Sequence, residues 1–170
     1  MGGTDMPEIR FVPMQDCFLS EAAEIYNDYI ANTTITFHTQ PLSKEDMRAI
    51  LFRNDPMYIT YAILDGNSLC GYAYMAPYKE REAYRISSEV TIYLKPGYER
   101  KGIGSKALEL LESHARKCGI HSFLAVICAE NEASIGLFKK NGYFQCALFK
   151  EVGIKFGRLL DVVVMQKILD

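Results

Sequence analysis

The sequence predicts an α/β fold, a mixed, mostly antiparallel twisted sheet with flanking helices, in one domain spanning 1–170. Three observations predict it. Two β-rich runs flank Asp65-Gly66-Asn67, a hairpin turn signature. A charge-free strand pattern follows a long amphipathic helix that itself follows a glycine loop, which makes a strand–helix–strand unit and a parallel pair. The order β, α, α, three strands, α, β, α, β, β then mixes hairpins with that one crossover, unlike a doubly wound sheet.

Each element has a local reason. Ile9 to Val12 reads as a short first strand. Phe18, Ala22, Ile25, Tyr26, Tyr29 and Ile30 recur at helical spacing and give a helix ending near Asn32. A second helix starts at Ser43, whose hydroxyl is placed to cap the Asp46 amide, with Leu42 and Met47 as a hydrophobic staple. Met57 to Leu64 and Leu69 to Met75 are the hairpin strands, and Ser87 to Leu94 is the next strand. The helix after the glycine loop runs to about Cys118 and stops at Gly119. Phe123 to Ile127 is a short buried strand, and Ala133 to Lys140 a short helix closed by Asn141-Gly142. Strands near Tyr143 to Val152 and Leu159 to Ile168 complete the sheet, and residues 1–7 read as a flexible N-terminal segment.

Bulk properties narrow the function. The chain is 49% apolar and 24% charged, an ordinary globular composition. A net charge of −2 argues against nucleic acid as a partner, and no apolar run approaches membrane-spanning length. The N-terminal residues carry no signal-peptide pattern. The five cysteines show no Cys-x-x-Cys spacing and the three histidines no metal-ligand spacing, so no disulfide framework or metal site is expected and a cytoplasmic setting fits.

The chemistry is concentrated in Thr91–Lys106. A strand ends in the basic turn Lys95-Pro96-Gly97-Tyr98-Glu99-Arg100-Lys101, and Gly102-Ile103-Gly104-Ser105 opens a helix. Free N–H groups at such a helix start bind phosphate, and Arg100 and Lys101 add positive charge. Three readings compete. The dinucleotide fingerprint fits formally through Ala107, but the turn is too long and too basic for it. The P-loop pattern fails, because Ile103-Gly104 stands where Lys-Ser/Thr is required. The third is a pyrophosphate arm gripped by a longer loop. A second feature, Asn131-Glu132-Ala133-Ser134, follows the buried strand. There Asn131 serves either as a ligand contact or as a helix cap.

Tyr98-Glu99-Arg100-Lys101-Gly102-Ile103-Gly104, paired with Asn131-x-x-Ser134-x-x-Leu137-Phe138-x-x-x-Gly142-Tyr143, resembles the GNAT superfamily of N-acetyltransferases. Tyr78-Lys79-Glu80-Arg81-Glu82-Ala83-Tyr84 before Ser88-Glu89-Val90-Thr91 resembles its phosphinothricin acetyltransferase branch. So do Thr34-x-x-Phe37-x-Thr39-x-Pro41 and Gly153-x-Lys155-x-Gly157-x-x-x-Asp161-Val162. The resemblance implies acetyl-CoA as cofactor. It would lie along Ile92, Tyr93, Leu94, Glu99, Arg100, Lys101, Gly102, Ile103, Gly104, Ser105, Asn131, Ser134 and Phe138. Glu99 departs from the Gln or Arg of the superfamily motif. Phe138 stands where many members place a Tyr proton donor, which leaves Tyr93, Ser134 or water as stand-ins.

The acceptor implied by the branch is a small amino acid analogue such as phosphinothricin, methionine sulfoximine or methionine sulfone. Its amine is mostly protonated at neutral pH and needs a base before it attacks. Strand alternation puts Ser87, Glu89, Thr91 and Tyr93 on one polar face, which by itself suits an exposed strand carboxylate; the branch resemblance at this position implies Glu89 as the base, directly or through water. Arg81 and Arg85 are the expected cations for the acceptor's acid group, and Phe37 a wall of its pocket. The branch also implies a homodimer, with Lys155 to Arg158 near the site or interface. Rival readings are another amine acceptor (a protein N-terminus, a lysine or a polyamine), a non-catalytic acyl-CoA-binding module, and a nicotinamide oxidoreductase. The last needs a ribose-binding acid earlier than Glu130.

Overall fold

The fold is set out here from a computed structural model, which describes residues 8–170; the expected N-terminal segment 1–7 lies outside the described residues. Seven strands form one sheet: β1 Ile9–Pro13, β2 Thr60–Asp65, β3 Ser68–Pro77, β4 Ser87–Leu94, β5 Ser122–Cys128, β6 Phe144–Lys155 and β7 Arg158–Ile168. Their order is β1-β2-β3-β4-β5-β7-β6. Every pairing is antiparallel except β4 with β5. Four α-helices flank the sheet: α1 Leu19–Asn32, α2 Lys44–Leu51, α3 Ile103–Lys117 and α4 Glu132–Lys140.

The helices divide two cores between the faces of the sheet. Leu108 and Leu111 of α3 and Phe138 of α4 pack on Val90, Phe123, Ala125 and Met165. Leu19, Ala22, Ile25 and Ile30 of α1, with Met47 and Leu51 of α2, pack on Ala62, Leu64, Leu69 and Tyr72. This second core uses β2 and β3 and stops short of β5 and β7. On that face register aligns Val126, Phe144, Phe149 and Ile168, and these remain 48%, 52%, 50% and 42% exposed.

Several boundaries move from their expected positions for identifiable reasons. β2 begins at Thr60, later than Met57, because Asp55 turns the chain with its carboxylate on the Met57 amide and its carbonyl on the Tyr58 amide. β6 and β7 run longer than expected because Phe156-Gly157, both at positive φ, close a two-residue hairpin between Lys155 and Arg158. Short 3₁₀ turns at Asp16–Phe18 and Glu82–Ile86 carry no periodicity long enough to read. Ser43 does cap α2, in a reciprocal capping box with Asp46. All five cysteines are free, and among the described residues no helix is long and apolar enough to cross a membrane.

Candidate active site

Two strands that should stay paired do not. β4 and β5 run side by side only over Ser87–Glu89 and Ser122–Leu124. β5 then follows β7 to Cys128, while β4 follows β3 to Leu94. Lys95 N–H donates to the Cys70 carbonyl, so the amides facing β3 are those of Glu89, Thr91, Tyr93 and Lys95. The amides of Val90, Ile92 and Leu94 face the opposite edge, where β5 has departed. Ladder parity therefore selects Ile92 and Leu94 as free donors and commits the Tyr93 amide to Tyr72. At the end of this edge the Tyr29 hydroxyl donates to the Leu94 carbonyl at 2.6 Å.

The open edge leads to the start of α3. Gly102, at φ +80°, turns the chain into the helix in the left-handed region, which suits glycine. No side chain caps it. The first intrahelical bond is from Lys106 N–H to the Gly102 carbonyl at 3.0 Å, which leaves the amides of Ile103, Gly104 and Ser105 without helical acceptors. α2 and α4, by contrast, are capped by Ser43 and Asn131. Uncapped donors with the exposed Arg100 and Lys101 beside them fit a pyrophosphate. The Glu99 carboxylate accepts from the Gly97 amide at 2.8 Å, so it braces the turn. The Ser105 hydroxyl accepts from Asn141 at 3.0 Å and ties α3 to α4, while its amide stays open.

The residues expected on α4 behave differently. Asn131 Oδ1 accepts the Ser134 amide at 3.1 Å, so the cap reading describes its carbonyl. Phe138 is 3% exposed and lies edge-on to Tyr143 at 4.9 Å. It is part of the core beneath α4 and presents almost no surface to a ligand.

On the opposite face, Glu89 is half-buried where β4 and β5 part. Burial pushes its carboxyl above the usual carboxylate range. The face it shares is more aromatic than alternation suggested, because register sets Tyr72 against Tyr93 and Tyr74 against Thr91. Tyr93 packs on Tyr26 and Tyr29, with ring centroids 5.1 and 5.2 Å away. The Tyr72 hydroxyl is buried with no partner among the described residues.

The two expected cations separate. Arg85 forms an exposed ion pair with Asp55 at 3.0 Å and is already matched. Arg81 stacks on Tyr84 at 5.5 Å with no carboxylate partner among the described residues, and so keeps its charge available.

The loop after α1 closes this side of the molecule. Phe37 packs against Gly153, where any Cβ would come within 2.4 Å of its ring. Lys155, 4% exposed, donates to the Thr36 carbonyl at 2.8 Å, and its burial lowers its pKa. Glu130 accepts from Arg158 at 2.7 and 3.1 Å and from Thr34 at 3.0 Å. These contacts border a cavity of about 510 Å³ lined by residues 32–35 and 130–133 with Phe156 and Arg158. The sequence offers Thr34 only as a spaced motif position and Lys155 to Arg158 as a segment near the site or interface; the Thr34–Glu130–Arg158 bridge has no local signal. A second hollow, of about 450 Å³, lies beside the start of α3 between Gly102, Lys106, Glu112 and Lys167.

Comparison with known proteins assigns the class. The sequence profile of the Acetyltransferase (GNAT) family matches residues 22–143. The chain belongs to this family and is an acetyl-CoA-dependent N-acetyltransferase. It is 34% identical over 171 residues to a phosphinothricin N-acetyltransferase of Streptomyces coelicolor, across 98% of this chain and 99% of that one. It is 32% identical to a Salmonella typhimurium L-methionine sulfoximine/L-methionine sulfone acetyltransferase, across 95% and 94% of the two chains. Among solved structures it resembles a GNAT superfamily phosphinothricin acetyltransferase from Sinorhizobium meliloti in complex with acetyl-CoA. That match has a TM-score of 0.89 and 31% identity, over 95% of this chain and 88% of that one.

Glu89 generates a stability prediction. Its folded-state pKa lies above the unfolded value of about 4.3, so protonated Glu89 is the form that folding favours. The wild-type protein has this favourable term in full below the unfolded pKa and loses it as pH rises through the folded one. Glu89→Gln should therefore have a higher thermal midpoint than wild type at pH 7. The difference should vanish in a scan taken below about pH 4. An equal or lower midpoint for the variant at pH 7 contradicts the buried, isolated carboxylate.

Proposed function

We propose that this enzyme acetylates the amino group of a small amino acid analogue such as phosphinothricin, methionine sulfoximine or methionine sulfone, with Glu89 as the general base. The observation that carries the reading is a half-buried carboxylate of raised pKa beside the opening of the strand pair. The named activities of the Streptomyces and Salmonella relatives support the acceptor class.

Bound acetyl-CoA supplies an acetyl group activated as a thioester. The residues of the chain do the rest. The amides of Ile103, Gly104 and Ser105, with Arg100 and Lys101 beside them, hold the pyrophosphate. The Ile92 and Leu94 amides along the open edge orient the arm and meet the charge that develops on the acetyl oxygen. Glu89 removes a proton from the acceptor's ammonium, and its raised pKa brings it nearer to the amine and to the working pH. Arg81 holds the acceptor's acid group, since Arg85 is paired to Asp55. Phe37, fixed on Gly153, walls the pocket. Phe138 has no proton to give, so Tyr93, Ser134 or water protonates the departing thiolate.

The enzyme acts as a homodimer in this reading. The exposed apolar stripe of Val126, Phe144, Phe149 and Ile168 on one face of the sheet supports this. Light scattering on the purified protein should give twice the 19.3 kDa chain mass. Phe149→Lys should shift it toward the single-chain mass, and a wild-type monomer at micromolar concentration would remove the dimer from the account.

The acceptor is tested with a panel of phosphinothricin, methionine sulfoximine, methionine sulfone, spermidine and a peptide amine, with acetylated product read by mass because of the five free thiols. Product is expected from the amino acid analogues, with kcat lowered about 100-fold or more in Glu89→Gln. Product from spermidine or the peptide alone would replace the acceptor class. Product undiminished in Glu89→Gln would remove the base. Acetyl-CoA binding without any product would favour a non-catalytic acyl-CoA-binding role.

A further inference from the structure

The backbone donors at the start of α3 are set by the helix itself. Its one side-chain hydroxyl, on Ser105, is set by a polar network on the α4 side that the reaction scheme has not used. What this network does for the cofactor rests on the start of α3 being the pyrophosphate seat.

The network begins at a buried carboxylate. Glu112 of α3 is 5% exposed. It accepts from Lys167 of β7 at 2.8 and 3.0 Å and from the Tyr143 hydroxyl at 3.1 Å, with Arg116 at 3.5 Å. Lys167 also donates to the Asn141 carbonyl at 2.9 Å. An ammonium has three donors, and all three of these are spent. The backbone at Asn141 is thereby tied to a buried ion pair.

Asn141 follows the last turn of α4. Its side-chain nitrogen lies 2.8 Å from the Leu137 carbonyl and 3.0 Å from Ser105 Oγ. A carbonyl oxygen only accepts, so the atom against Leu137 is the amide nitrogen, and the amide can face one way only. That nitrogen has two N–H groups and no lone pair to offer. The contact with Ser105 therefore has one polarity: Asn141 donates and Ser105 accepts. The helices approach this closely because residue 104 is glycine, where a Cβ would come within 2.8 Å of the Leu137 side chain.

A hydroxyl that accepts still has its own proton to place. Among the described residues no group accepts the Ser105 proton. Ser105 is the third residue of α3, and helical side chains tilt toward the N-terminus. It lines the 450 Å³ hollow together with Gly102. Of the other donors there, Lys167 and the Asn141 amide are spent, and Lys106 is paired with Glu109 at 3.0 Å. The Ser105 proton is left facing the space that the uncapped amides face.

We propose that Asn141 is a positioning residue for cofactor binding. By filling a lone pair of Ser105 Oγ it turns the hydroxyl proton toward the start of the helix. The hydroxyl then donates to the pyrophosphate beside the amides of Ile103, Gly104 and Ser105. Asn141 touches neither acetyl-CoA nor the acceptor.

The test needs no acceptor amine. The dissociation constant of acetyl-CoA is measured by calorimetry on wild type, Ser105→Ala, Asn141→Asp and the double variant. Asn141→Asp keeps the size of the side chain but replaces the donor with a carboxylate, which takes the hydroxyl proton for itself. Each single variant should weaken binding about tenfold, the scale of one hydrogen bond to a charged group. In the Ser105→Ala background Asn141→Asp should cost about twofold or less, because no hydroxyl is left to turn. No loss in Asn141→Asp alone, or a loss equally large in both backgrounds, overturns the positioning role and leaves Asn141 as a cap of α4. If thermal melting shows Asn141→Asp poorly folded, Asn141→Ala gives the same cycle with a first loss of about threefold, since the hydroxyl then turns freely. The seat is read separately. If acetyl-CoA leaves the backbone amide signals of Ile103 and Gly104 unmoved in the wild-type NMR spectrum, the pyrophosphate lies elsewhere and the positioning role falls with the seat. If those signals move and the cycle is additive, the positioning role alone falls.

Discussion

The parting of β4 from β5 is the constraint on which the rest of this structure depends. After three parallel pairs, each strand continues with its antiparallel neighbour on the far side. Antiparallel ladders are somewhat more stable per residue, and β3 pairs with Ser88–Leu94 of β4 while β7 pairs with all of β5. The inner edge of β4 is left with donors and acceptors that no strand meets. Buried backbone groups without partners are costly, so such an edge persists only where water or a ligand can reach it. One sheet therefore builds a slot of free amides, aims it at the uncapped start of α3, and leaves Glu89 at the point of divergence.

The two faces of the sheet serve this slot differently. α3 and α4 make the apolar backing, with Phe138 and Tyr143 sealed beneath α4. The other face carries Glu89 and the tyrosines of β3 and β4 and is closed by chain segments far apart in sequence. Thr36 and Lys155 are 119 residues apart, yet a buried ammonium holds the carbonyl of the loop. A lysine so enclosed needs an oxygen partner, and this one pulls residues 34–37 against the β6–β7 hairpin. Phe37 on Gly153 and Thr34 on Glu130 fix the same loop at two further points. In the proposed reading this loop is the acceptor-side wall, held at three points without any helix of its own.

Local signals made much of this legible. Ser43 with Asp46, the Asp65-Gly66-Asn67 turn and Gly102-Ile103-Gly104 each have a short-range physical cause, and each appears where it was expected. Strand parity correctly put Glu89, Thr91 and Tyr93 together. What parity could not supply was the neighbour: β3 register brings tyrosines to that face, which makes it aromatic where a polar one was expected. Arg85 looked as free as Arg81 because its partner Asp55 is thirty positions away, across a turn without periodic pattern. Asn131 was equally compatible with two roles until Ser134 presented its amide. The bulges of β6 are not legible because they are fixed by Asp161 and by pairing with β7, and the final turn is tighter than expected because Phe156 adopts a positive φ that its residue type does not favour.

The most direct test of the slot itself is amide hydrogen exchange by NMR, residue by residue, with and without acetyl-CoA. The account predicts that the cofactor protects Ile92 and Leu94 on β4 and Ile103, Gly104 and Ser105 at the start of α3. It should leave Tyr93 unchanged, since its amide is already committed to β3. Protection absent from Ile92 and Leu94, or gained at Tyr93 instead, would contradict the open edge as the cofactor's seat.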